Sequence, residues 1–145
     1  MKNLQEKDIK FILHLFRNGN YTCNGADMAR LLGITPMGSL KVFRRLEKEQ
    51  IVSSRMYGRA RYYKLNLEDD FVRKLVAFLL RNEAESAPPG IKVWIKELKK
   101  IRSANLALIF GSVLIKQSKA GDVDVLFVTD QQRFENLKKE INMLN

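Results

Sequence analysis

The chain has one cysteine, one histidine, one tryptophan and three prolines in 145 residues. With Cys23 alone, no intramolecular disulfide forms and no cysteine cluster can hold zinc, which fits a reducing compartment. His14 has no partner at a metal-ligand or catalytic spacing, so both residues read as structural. No apolar run approaches the length of a membrane span. Met1 to Asp8 is polar and lacks the uninterrupted apolar core of a signal peptide, so the expectation is a cytoplasmic chain without a membrane. What the chain does have is a hydrophobic share of 46%, ordinary for a protein that buries a core, and a formal net charge of +10.

That charge is unevenly spread. Residues 1–67 carry 13 Lys or Arg against 5 Asp or Glu, whereas residues 105–145 carry 5 against 5. A basic N-terminal half is the electrostatic footprint of a nucleic-acid binder, although a lysine-rich surface kept for solubility would also be basic.

Apolar residues at Ile9, Ile12, Leu13 and Phe16 form an i, i+3, i+4, i+7 stripe over Gln5 to Asn18, and Asn18-Gly19-Asn20 stops it. Asn24 can cap a short helix that ends before Gly33. Thr35-Pro36 opens a third helix, with the proline at the first helical position, where its missing N–H costs nothing. This helix runs to about Gln50 and buries Leu40, Phe43, Leu46 and Val42, leaving Lys41, Arg44, Arg45 and Lys48 mostly on the other side. Two β-prone runs, Ile51 to Tyr57 and Ala60 to Asn66, flank Gly58-Arg59 and read as a hairpin whose tip projects Arg55, Arg59 and Arg61.

Two helices about a tight turn at Gly33, followed by a basic hairpin, resemble the winged helix-turn-helix of MarR- and ArsR-like transcriptional regulators. The resemblance covers about residues 5 to 67 and includes Leu32-Gly33-Ile34-Thr35, the helix exit Leu46-Glu47-Lys48-Glu49-Gln50-Ile51-Val52 and the closing strand Tyr62-Tyr63-Lys64-Leu65-Asn66. It implies double-stranded DNA as the partner. The fold also serves as a protein-docking module, but desolvating four cations on the third helix at such an interface would be costly without paired acids. Arg44, Arg45 and Lys48 are expected at phosphates, and Thr35, Met37, Ser39 and Lys41 near base edges. Arg59 is a candidate for the minor groove or phosphate.

A helix over Glu68 to Arg81 carries Phe71, Val72, Leu75, Val76, Phe78, Leu79 and Leu80, wider than one small domain needs. It reads as a homodimer seam, with burial against the next domain as the alternative. Pro88-Pro89-Gly90 then breaks the chain. The expected organisation is a winged helix domain at 1–67, a connecting and dimerisation segment at 68–90, and a third part at 91–145.

In that third part, Ile91, Trp94, Ile95, Leu98 and Ile101 form an amphipathic helix. An apolar strand, Leu106 to Phe110, breaks at Gly111-Ser112, and a second strand, Asp122 to Val128, starts with Asp122 and Asp124 on one face. A final helix runs from about Gln131 to Met143. Glycine lets backbone amides approach a phosphate, serine adds a hydroxyl, and paired aspartates suit hard Mg²⁺. The spacing resembles the signature of polymerase-beta-like, minimal nucleotidyltransferases, which implies a nucleoside triphosphate held by Gly111 and Ser112 and Mg²⁺ held by Asp122 and Asp124. Leu114-Ile115-Lys116-Gln117 departs from the small-Arg-Gly segment usual there, and Gly121 stands where a serine often precedes the first aspartate. The third carboxylate of that family, on a later strand, is not found before Asn145.

The fold class expected is therefore α+β, a winged helix followed by a helix and a small, incomplete nucleotidyltransferase-like domain. The function expected is a DNA-binding regulator that binds Mg-nucleotide without transferring it. The alternatives are an active nucleotidyltransferase of toxin-antitoxin type, with a toxin partner protein, tethered by its winged helix, and a nucleotidyltransferase that grips RNA.

Overall fold

A computed structural model describes residues 4–19, 23–116 and 120–144. It divides into two compact units, Met1–Asn82 and Glu83–Asn145. No helix among the described residues is long and apolar enough to cross a membrane.

The first unit runs α1 (Glu6–Asn18), β1 (Cys23–Asn24), α2 (Gly25–Leu32), α3 (Pro36–Lys48), β2 (Val52–Tyr57), β3 (Ala60–Leu65) and α4, which starts at Asp70 and ends at Glu85 in the second unit. Local chemistry sets the helix ends. Asn24 Oδ1 accepts from the Ala26 and Asp27 amides at 2.9 and 3.0 Å, while the Asp27 carboxylate accepts from the Asn24 amide, closing a capping box. Gly33, at φ 61°, ends α2 in the left-handed conformation that costs glycine least.

The three strands lie in the order β1-β3-β2, all antiparallel. Val52 pairs with Leu65 and Tyr57 with Ala60, so the hairpin closes through the two residues Gly58 and Arg59. Gly58 takes φ 59° at the first central position, as a type II′ turn requires.

Phe11, Ile12 and Leu15 of α1, Met28 of α2, Phe43 and Leu46 of α3, and Val52, Tyr63 and Leu65 of the sheet share one core. The Phe43 and Tyr63 rings stack at 3.7 Å between centroids, and Phe11 meets Phe43 edge-on at 4.9 Å. The face of α1 differs from the expected stripe: Phe11 and Leu15 are buried, while Phe16 is exposed. Asp8 shares the buried face because a cation on α3 neutralises it, which a hydrophobic period does not reveal.

The apolar surface of α4 is divided. Val72, Val76 and Leu79 complete the first unit's core, and Leu75 and Leu80 pack partly against it. Phe71 and Phe78 remain exposed.

The second unit continues with α5 (Pro89–Leu98), β4 (Leu106–Phe110), α6 (Val113–Lys116), β5 (Asp124–Val128), a 3-10 turn (Gln131–Arg133) and α7 (Phe134–Asn142). Strands β4 and β5 are antiparallel, from Leu106 opposite Val128 to Phe110 opposite Asp124. Because β4 ends at Phe110, Asp122 has no strand partner, and β5 starts two residues later than the sequence suggests. Trp94 and Leu98 of α5, Val125 and Phe127 of β5, and Ile141 of α7 line a cleft of about 290 Å³ on one side of the sheet. On the other, Leu106, Leu108, Phe110, Leu126 and Val128 are exposed.

The Glu140 carboxylate of α7 accepts from the Arg102 and Ser103 amides at 2.9 and 3.0 Å and from the Ser103 hydroxyl. These donors, the Ser103 amide foremost, hold its pKa below the usual carboxylate value. Gln117, named in the departure from the nucleotidyltransferase pattern, lies outside the described residues.

Candidate functional site

Helix α3 is presented by its own first turn. Thr35 Oγ1 accepts from the Gly38 amide at 3.0 Å, and Pro36 follows at the first helical position. From there the helix sorts its residues by face. Ser39, Val42, Phe43 and Leu46 are buried. Met37, Lys41, Arg44 and Lys48 are exposed, and their i, i+4, i+7, i+11 spacing sets them in one stripe along the helix.

Two residues expected on the DNA-facing side, Ser39 and Arg45, are placed otherwise. Ser39 is fully buried, with its Oγ unbonded among the described residues, so it does not reach a base edge. It lies at i, i+3, i+4, i+7 spacing with Val42, Phe43 and Leu46, on the face opposite Met37, beside Gly25 of α2, where an added Cβ would lie 3.9 Å from its Oγ. Arg45 donates from Nε to Asp8 Oδ1 at 3.2 Å and from a terminal nitrogen to the same atom. It therefore ties α3 to α1 where a phosphate contact was expected. The Thr35 hydroxyl oxygen is engaged as the cap.

The hairpin carries Arg55, Arg59 and Arg61, all exposed. One residue fixes it against α3. Glu47 accepts from the Ser54 hydroxyl of β2 and lies 3.6 Å from the Arg61 guanidinium of β3. Burial pushes the Tyr63 phenol pKa up, with Arg61 and Arg44 opposing the rise and Glu47 adding to it. Sequence reasoning missed the positioning roles of Asp8 and Glu47. Glu47 stands alone among the cations of α3, and that isolation was the available clue.

In the second unit the Gly-Ser turn and β5 do meet. Gly111 takes φ 81°, a conformation that favours glycine, and a Cβ there would lie 2.3 Å from Asp124 Oδ2, so a side chain at this position would push that carboxylate off the turn. Ser112 precedes α6, its carbonyl accepting from the Ile115 and Lys116 amides. Asp122 and Asp124 are both exposed. Among the described residues no three His, Cys, Asp or Glu side chains gather as a metal-holding group. Two carboxylates do not enclose a cation, but they suit Mg²⁺ that takes its remaining oxygens from phosphate and water.

No protein-family model and no curated protein matches the sequence. Solved structures do. The adhesin competence repressor AdcR from Streptococcus pyogenes aligns over 97% of this chain and 77% of its own, at 13% identity and a TM-score of 0.51. MepR, a transcription regulator of the Staphylococcus aureus multidrug efflux pump MepA, aligns over 99% of this chain and 82% of its own, at 14% identity and a TM-score of 0.50. At these identities the likeness speaks for the fold, a winged helix.

Proposed function

We propose that this chain is a DNA-binding transcriptional regulator that grips duplex DNA with α3 and the β2–β3 wing. The observation that carries this reading is the exposed stripe Met37, Lys41, Arg44 and Lys48 on a helix that Glu47 joins to the wing, whose Arg55 and Arg59 are also exposed. Three cations along one helix face match phosphates lining a major groove, and an arginine at a hairpin tip fits the adjoining minor groove or backbone. The neighbours AdcR, a repressor, and MepR, a transcription regulator, favour the same reading. In this view Phe71 and Phe78 of α4, with Leu75 between them, form the seam of a homodimer that reads two half-sites. Measuring duplex binding across a salt series, with Lys41, Arg44 and Lys48 each changed to Ala, tests the reading. Weaker affinity and a flatter salt slope support it, and no binding at low salt removes it.

A second reading applies to the second unit, where Asp124 lies against Gly111. Gly111 and Ser112 would receive triphosphate oxygens, and Asp122 and Asp124 would hold Mg²⁺, which would supply charge neutralisation there. This unit would then bind Mg-nucleotide beside a DNA-binding unit. The enzyme alternative, nucleotidyl transfer, additionally needs a group to assist deprotonation of the acceptor, typically worth about 10²- to 10⁴-fold. Label transfer from an α-labelled triphosphate separates binding from transfer.

A further inference from the structure

We infer that Met37 reads a thymine methyl group, so that the preferred duplex carries a thymine in each half-site facing the first turn of α3; this rests on the DNA-binding reading above. Of the positions in that turn, Ser39 is buried and Thr35, exposed, accepts from the Gly38 amide as the cap and keeps its O–H as a donor. Met37 is the large apolar side chain that the turn directs outward, 58% exposed. Lys41 follows one turn later on the same stripe, about 6 Å along the axis. A helix N-terminus in the major groove places its first outward residues at base edges.

The chemistry of the side chain then restricts the base. A thioether has no donor and only a weak acceptor, so it cannot replace the water displaced from a cytosine or adenine amino group, or from guanine O6 and N7. Burying those edges against Met37 would leave them unsatisfied. The major groove offers one apolar feature among the four standard bases, the C5-methyl of thymine. Met37, unbranched and rotatable about three bonds, can cover that methyl without disturbing the cap below it. Phosphate is excluded as its partner because the side chain carries neither charge nor donor.

The test starts from duplexes selected out of a random pool by the full chain. In the best of them, each thymine is replaced singly by deoxyuridine, which removes only the methyl. One replacement per half-site should weaken wild-type binding about fourfold, as expected for a buried methyl at ~0.8 kcal/mol. Met37→Ala should lose most of that sensitivity while keeping its salt slope and its melting temperature. Duplex binding in which no thymine methyl matters, or in which Met37→Ala stays as sensitive as wild type, overturns the inference and leaves the DNA reading standing. A pool from which no duplex is retained overturns both.

Discussion

Arg45 of α3 and Asp8 of α1 are joined through a single carboxylate oxygen, Oδ1, which receives two guanidinium nitrogens. Asp8 is 1% exposed, and its Oδ2 is taken by the Gln5 amide at 2.9 Å. One carboxylate thus starts α1 and ties it to α3. A cation on the helix proposed to enter DNA serves the protein interior, so the charge of α3 overstates the number of side chains free to meet phosphate.

Arg45→Ala should cost stability, because it leaves Asp8 buried with a lone amide donor. Removing one partner of a buried pair costs about 3–5 kcal/mol, and the partial exposure of Arg45 places this case near the low end. Replacing both residues by apolar ones of similar size, Asp8→Leu with Arg45→Met, should recover much of the loss. Urea denaturation of the three variants checks this; an unchanged midpoint for Arg45→Ala would show that the pair is dispensable.

The salt dependence of duplex binding should sort the cations. Removing a side chain that neutralises one phosphate lowers the slope of log K against log salt by about 0.9. Lys41→Ala, Arg44→Ala and Lys48→Ala should each flatten the slope by roughly that much per protomer. Asp8→Leu with Arg45→Met, which removes the Arg45 cation together with its buried partner, should leave it unchanged. A slope that falls with that pair of changes would return Arg45 to the interface.

Much of the first unit is readable from local chemistry. Asn24, Gly33, Thr35-Pro36 and Gly58 each act on the few residues beside them, and each marks an end or turn that the structure keeps. Pairings between distant residues are not readable in this way. Nothing near Asp8 announces a partner 37 residues away. Ser39 is a different case: its i, i+3, i+4, i+7 relation to Val42, Phe43 and Leu46 sets it on their buried stripe, opposite Met37, and only its hydroxyl pointed to the surface. The face of α1 was misjudged for a related reason: Phe11, Ile12, Leu13, Leu15 and Phe16 wrap too far around the helix for periodicity to choose among them, and the Phe43 ring makes the choice. In the second unit the Gly-Ser turn and Asp124 are brought together as their spacing suggests, while the start of β5 depended on where β4 ends.

Assembly through α4 should be tested at Phe78, which is 65% exposed and outside the core that Val72, Val76 and Leu79 complete. Phe78→Asp should leave the melting temperature close to wild type and convert dimers to monomers in sedimentation. Binding to a two-half-site duplex should weaken far more than binding to one half-site. A wild-type chain that sediments as a monomer at high concentration would rule out this seam.

Cys23 offers a pH test of the first unit. Burial, reinforced by the Asp27 carboxylate, pushes its thiol up from 9.0 to about 11. The folded chain therefore holds the proton where the unfolded chain releases it. The associated stability is complete below about pH 9 and is lost as pH rises towards about 11. The gap in stability between wild type and Cys23→Ala should narrow over that interval, since other groups titrate alike in both. At about pH 8, below the ordinary thiol pKa, the native thiol should resist alkylation that the unfolded chain undergoes readily. Rapid alkylation of the native chain, or a constant gap, would show that the thiol is not held neutral.

Gly111 offers a test of the second unit. A Cβ there would lie 2.3 Å from Asp124 Oδ2, and its φ of 81° is one that an L side chain rarely adopts. Gly111→Ala should therefore displace the Asp124 carboxylate and reshape the turn together. If the second unit binds Mg-nucleotide, titration with ATP in Mg²⁺ or Mn²⁺ should show metal-dependent binding. That part should vanish in Asp122→Asn with Asp124→Asn and weaken strongly in Gly111→Ala. Asp124→Asn alone keeps the side-chain size at an exposed position, so it should fold as well as wild type while losing metal affinity. Binding would then fall at unchanged stability, which a structural role for Asp124 alone does not produce. Absence of any metal-dependent nucleotide binding in the wild-type chain would leave Gly111 and Asp124 as a packing pair.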